Sequence, residues 1–240
     1  MKQSQAKKHD NTMTNKILMR LIALVLGLLF LEILIIHSKN EQQKSVSNQV
    51  QTARIMANGD LLYHDGLYMS ALQADGSYDF TENFTYVKPW LKQADLVLGD
   101  FEGTINPDYP LSGYPLFNAP QSVTAAISDA GYDVMDLAHN HILDSGLEGA
   151  FTTADAFKEV GIDPVGVYEN PVRDKAPLFI KNVNGIKVAI LSYAYGFNGL
   201  ESNLTEKEIA NHLSNLDEKR MKVEIERAEK EADVTVIMPQ

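Results

Sequence analysis

Three apolar runs in this chain each end in polar, chemically able residues, and that pattern constrains the fold more than any other feature. Arg54-Ile55-Met56-Ala57 leads into Asn58-Gly59-Asp60. Asp95-Leu96-Val97-Leu98 leads into Gly99-Asp100-Phe101-Glu102. Val134-Met135-Asp136-Leu137 leads into Ala138-His139-Asn140-His141, followed by Asp144-Ser145-Gly146. Short apolar runs separated by helix-length segments predict an α/β domain with parallel strands. In such sheets ligands bind outside the carboxyl ends of the strands, which is where these polar residues fall. Hard oxygen donors grouped with imidazole are the donor set of a metal-assisted hydrolytic site.

The N-terminus reads separately. Residues 17–36 form an apolar run interrupted only by Arg20 and Glu32. At 1.5 Å per helical residue, twenty residues span a hydrocarbon core of about 30 Å. Lys2, Lys7, Lys8, Lys16 and Arg20 precede or open the run, so the positive-inside rule keeps residues 1–16 cytoplasmic and puts the domain outside. The alternative is a cleaved signal peptide, but His37-Ser38-Lys39-Asn40 offers no small-x-small cleavage site. With no cysteine there is no lipoprotein signal, and an exported domain would stand without disulfides. The expected layout is a cytoplasmic tail (1–16), a single-pass membrane anchor (17–36), a polar tether (37–51) and a domain from 52 to 240.

Charge narrows the partners. The chain has 21 Lys+Arg and 32 Asp+Glu, of which five and two lie in residues 1–36; the rest carries 16 against 30, a net charge of −14. So acidic a domain is a poor partner for nucleic acid or anionic lipid surfaces. A polyanionic substrate stays open, because bound cations reverse the field locally.

Within the domain, helical segments are predicted over residues 84–92, 122–130 (Ser122 as cap, Gly131 as stop), 147–160 and 216–232. Strands are predicted at 165–167, 178–183, 186–193 and 234–238. Asn184-Gly185 is the preferred centre of a two-residue type I′ hairpin. Ending on a strand that would feed another active-site loop, the chain reads as part of a longer protein.

Taken singly, each element is weak. An Asp after a strand is often a turn residue or helix cap, and an isolated His is often structural. The conjunction of three such ends carries the inference. The stretches Asn58-Gly59-Asp60-Leu61-Leu62, Ala94 to Gly103 and Asp136 to Gly146 resemble the CapA family of capsule and poly-γ-glutamate synthesis proteins, within the calcineurin-like metallophosphoesterase superfamily. Softer similarity runs through Ile186 to Tyr193 and Gly196-Phe197-Asn198-Gly199.

The resemblance implies a two-sheet sandwich flanked by helices. It also implies a site for two divalent ions (Mn, Fe or Zn), other capsule-synthesis subunits as partners, and an anionic polymer as cargo. Carried over, Asp60, Glu102 and Asn140 become metal ligands, and His141 stabilises a transition state or protonates a leaving group. Asp100, His139, Asp144 and His64 are further candidates. The superfamily's Asp-x-His is Asp60-Leu61-Leu62 here, so one imidazole is missing. Glu102 stands where phosphoesterases have Asp, Asp100 where the family often has Asn, and His139 where it usually has Asn. Later family motifs would follow residue 240, so this chain is expected to hold at most half a site. Two functions follow: a tethered accessory protein of capsule synthesis or export, and a metal-dependent hydrolase of a phosphoester or polymer amide. The Pro/Tyr loop from Tyr109 to Pro115 is a candidate wall of the cleft.

Overall fold

The computed structural model describes residues 19, 21, 24–39 and 50–240, in two units, Met1–Val50 and Gln51–Gln240. In the first, residues 24–39 are helical with every side chain exposed. Among the described residues no helix is long and apolar enough to cross a membrane. The expected tail (1–16), most of the tether, and residues 17, 18, 20, 22 and 23 of the expected anchor lie outside the described residues.

The second unit begins with β1 (Ile55–Asp60), α1 (Asp65–Ala71), α2 (Lys88–Leu91) and β2 (Leu96–Asp100). It continues with α3 (Ser122–Ala130), β3 (Val134–Asp136), α4 (Gly146–Glu159) and β4 (Asp163–Val165). It ends with β5 (Ile180–Val183), β6 (Ile186–Tyr193), α5 (Glu206–His212), α6 (Glu218–Glu231) and β7 (Val234–Pro239). Strands β1-β2-β3-β4 form one wholly parallel sheet in that order. A second sheet has the order β5-β6-β7, antiparallel across β5/β6 and parallel across β6/β7.

Side-chain alternation explains the layers. Leu96 and Leu98 of β2 and Val134 of β3 face one way and pack with Val188 and Ile190 of β6 between the sheets. The intervening Val97 and Met135 face the other way, onto Val123 and Ile127 of α3 and Ala150 and Phe157 of α4. On the far side, Ala189, Leu191 and Tyr193 of β6 pack on Ala228, Met221 and Ile225 of α6. The result is helices, sheet, sheet, helix, which bears out the α/β two-sheet sandwich.

Local chemistry shifts several boundaries. Ser122 is the first helical residue of α3, not its cap; Gln121 holds the cap position without a side-chain bond. Gly131 ends that helix in the left-handed region at φ 106°. The expected helix over 84–92 is a 3-10 turn (Thr81–Phe84) followed by α2, with Pro89 in the first turn, where its missing N–H costs nothing. Strand β4 is Asp163–Val165 rather than 165–167, an edge strand that tolerates Pro164 and stops at Gly166, φ 96°. Asn184 and Gly185 have φ 54° and 89°, as the type I′ turn requires. Helix α5 was not anticipated, although Thr205 and Glu208 form a full capping box, a signal readable in the sequence.

Gly166 supports more than a turn. A Cβ placed there would lie 2.7 Å from both the backbone nitrogen and Cβ of Ala138, and 2.9 Å from Ser192 Oγ. Gly166→Ala combines left-handed strain with overpacking against backbone, so urea unfolding should show a loss of about 2–4 kcal/mol. Because Ala138 leads directly into His139-Asn140-His141, the displacement should reach that loop.

Candidate functional site

The carboxyl ends of β1, β2 and β3 meet at one edge, and the chain continues the ladder past them. Leu61 N donates to Asp100 O (2.7 Å), Glu102 N to Leu61 O (3.3 Å) and Phe101 N to Asp136 O (3.1 Å). Between Ala57 and Asp60 the register of β1 shifts: Ala57 pairs with Leu98, yet Asp60 pairs with Asp100. This irregularity sets Asp60 beside β2, where its carboxyl lies within hydrogen-bonding reach of both Asp100 and Glu102.

Two of these acids, Asp100 and Glu102, resist ionisation in the low dielectric of the site. Burial, then the charges of Asp136, Asp60 and Glu102, push Asp100 up to about 8. Burial, then Asp60, push Glu102 up to about 7. Asp136, one strand further, is 2% exposed and pushed up to about 7 by burial, against the bonds it accepts from Ser192 Oγ and Ala138 N. Asp100 Oδ1 is buried without a partner.

The loop after β3 is a run of tight turns. Ile142 N donates to His139 O, Asp144 N to His141 O and Gly146 N to Leu143 O, at 3.2, 3.1 and 2.8 Å. Buried Leu137, Ala138, Ile142 and Leu143 root it in the core. His141 extends from this loop with Nδ1 2.7 Å from Asp144 Oδ2 and Nε2 3.8 Å from Glu102 Oε1. The Phe117 ring meets its imidazole edge-on, centroids 4.7 Å apart at 87°. Burial pushes Asp144 up, opposed by the bond from Phe117 N and by His141.

Asp60, Asp100, Glu102, His141 and Asp144 are thus brought together, and Asn140 reaches the group through Asn198, to whose Oδ1 its Nδ2 donates at 3.2 Å. His139 lies beneath, fully buried and pushed down to about 3 by burial and His141; its Nδ1 accepts the His141 backbone N–H. His64 sits apart as the cap of α1, its Nδ1 accepting Asp65 N at 2.8 Å. Phe117 stands directly beside His141, and Tyr114 of the 109–115 loop meets the Phe117 ring edge-on, centroids 6.5 Å apart. Asn118 closes that loop by donating to Asn106 O, Tyr109 O and Pro110 O.

Sequence reasoning did not single out Asn198 or Asp136 as site residues. Asn198 is one of two non-glycine residues at positive φ (54°) among the described residues, a conformation that marks functional loops. Among the described residues, no group of three or more His, Asp and Glu side chains is gathered as a ready metal-binding set. The donors still suit a cation: hard oxygens, an orphaned buried carboxylate oxygen, and acids that burial and neighbouring carboxylates keep protonated near neutrality.

Comparison with known proteins gives the lineage. Over 119 residues the chain is 35% identical to the capsule biosynthesis protein CapA of Bacillus anthracis, covering 48% of this chain and 29% of that protein. It is 25% identical over 189 residues to the PGA biosynthesis protein CapA of Bacillus subtilis (strain 168), 78% of this chain and 48% of that one. The chain therefore spans about half the length of these curated relatives, or less. A solved Staphylococcus aureus protein assigned as a 5′-nucleotidase superposes with TM-score 0.49 at 12% identity, over 78% of this chain and 37% of that one. The bacterial capsule synthesis family PGA_cap matches residues 54–240, and the chain belongs to it.

Proposed function

We propose that this protein supports bacterial capsule biosynthesis or export, poly-γ-glutamate being the polymer, as a single-pass membrane protein whose acidic domain works outside the cell. The observation that carries the reading is the cluster of Asp60, Asp100 and Glu102 against His141 in a chain of the capsule synthesis family. Metallophosphatase-like chemistry is the second reading, favoured by the same cluster. Asp60, Asp100, Glu102 and Asn140 would hold a divalent Mn, Fe or Zn ion, one or two in number. Such an ion activates water near neutral pH and neutralises anionic oxygens. Glu102 and Asp100 would exchange protons for the cation, Phe117 would shield the imidazole from water, and His141 would move a proton at Nε2. Other capsule-synthesis subunits and the anionic polymer are the proposed partners.

The test compares wild type with Asp60→Ala in the full chain, reading metal content by elemental analysis, phosphodiesterase activity and capsule output of the producing cell. Stoichiometric metal and turnover, both lost in the variant, would make the protein a hydrolase. Capsule loss in the variant without turnover in either protein favours the accessory role, whereas undiminished capsule would overturn both readings. For topology, a phosphatase reporter fused at Gln240 should be active outside the cell; a cytoplasmic signal would reverse the assigned orientation.

A further inference from the structure

The segment that leads into β2 carries apolar side chains on two faces. Phe84 and Leu91 turn inward, onto the core that holds Val97 and Ile127. Tyr86 and Trp90, four residues apart on the turns joining Phe84 to Leu91, point outward at 88% and 65% exposure, with exposed Val87 and Pro89 beside them. Lys88 closes on Asp129 of α3, and exposed Lys92 completes the rim. Grouped aromatic rings left in water mark a binding face rather than a need of the fold. The same segment is tied to the point where the chain enters the domain. Arg54 Nη1 donates to Gln93 O at 3.2 Å, Arg54 N to Asp95 Oδ2 at 2.7 Å, and Asp95 N to Arg54 O at 2.8 Å. Asn184 of the β5–β6 turn donates to Thr52 O at 3.1 Å, so that turn shares this end. All of these lie at the amino ends of β1 and β2, whereas the acid cluster and His141 lie at the carboxyl ends, the five residues of β2 away.

We propose that Tyr86, Val87 and Trp90 form a docking face that settles into the headgroup region of a lipid bilayer. This rests on the membrane-anchored reading of the proposed function. Tryptophan and tyrosine beside lysine make up the composition of a membrane-interface anchor: the rings lie at headgroup level and the ammonium reaches lipid phosphate. The expected anchor, residues 17–36, precedes the entry point by a tether of fifteen residues, 37–51. So short a leash holds the face near lipid, and weak contacts then act at high effective concentration. A zwitterionic surface suits a domain whose net charge is −14 better than an anionic one. A stable protein partner would cover about 800 Å² of this side, more than one turn of chain offers. Docking at the amino ends of the strands turns the acid cluster away from the lipid, so an anionic polymer meets it from the outer side.

The full chain in phosphatidylcholine vesicles gives the readout, because Trp90 is its single tryptophan and its emission reports this face alone. That emission should shift to the blue, resist quenching by iodide, and fall when the lipids carry bromine at the headgroup end of their acyl chains. Tyr86→Ser combined with Val87→Ser, both at exposed positions, should restore iodide quenching and weaken bromine quenching while the circular dichroism stays unchanged. Trp90 quenched by iodide and untouched by bromine, in vesicles that carry the protein on flotation, would overturn the docking face. So would a blue shift without bromine quenching, which would put the patch against protein. Protein left behind by the floating vesicles would sink the anchor reading itself, and the docking with it.

Discussion

His141→Ala is expected to lower turnover or polymer output by about 10²–10⁴, the contribution of a placed proton-transfer group, while the domain stays folded. The imidazole lies at the strand-end edge, in contact with Phe117, Asp144 and Asn198, and none of the hydrophobic core clusters includes it. Its loss leaves Asp144 Oδ2 with the Phe117 N–H as sole partner, a cost of about 1–3 kcal/mol for a buried group only partly satisfied. A melting curve measured beside the activity assay separates the two effects. Full output in a folded variant would remove His141 from the chemistry altogether.

The second large effect is on stability, and its sign is opposite to that of ordinary acid unfolding. In the metal-free domain Asp100 is pushed up to about 8, and Glu102 and Asp136 to about 7. In the unfolded chain such groups titrate near about 4. Between those values the folded state binds more protons than the unfolded one, so stability is fully present below pH ~4 and is lost as pH rises toward ~8. The loss should be on the order of 3–5 kcal/mol, less than the separate shifts would add to, because each ionisation raises the cost of the next. Asp100→Asn should flatten the dependence. A divalent cation should substitute for the missing protons, so Mn²⁺ or Zn²⁺ should raise Tm far more at pH 8 than at pH 5. At a hundred times its dissociation constant it would return about 2.7 kcal/mol. A Tm that rises equally at both values, or not at all, would rule out cation binding by these acids.

Much of the frame was legible in the sequence because it rests on local rules. Alternation within Leu96-Val97-Leu98 fixes which side chains meet the second sheet and which meet the helices. Asn184-Gly185 fixes the hairpin, and the polar ends of three apolar runs lie along one edge of one sheet. What escaped depends on distant partners. Asp136 looks like one polar residue in an apolar strand until Ser192, 56 positions away, is placed against it. Asn198 looks like loop filler beside Gly199 until the fold carries it to His141, 57 positions back. His64 shows the converse: four positions after the candidate ligand Asp60, it is used locally as a helix cap.

The register irregularity in β1 works as slack in the strand. Ala57 to Asp60 covers three steps of chain against two from Leu98 to Asp100. Paired residues share a face of the sheet, so absorbing the extra residue keeps Asp60 opposite Asp100, whereas regular pairing at the same chain length would carry it one position further and onto the other face. A variant that straightened β1 without shortening it would part the two carboxylates and leave no substitution at Asp60 to betray the change.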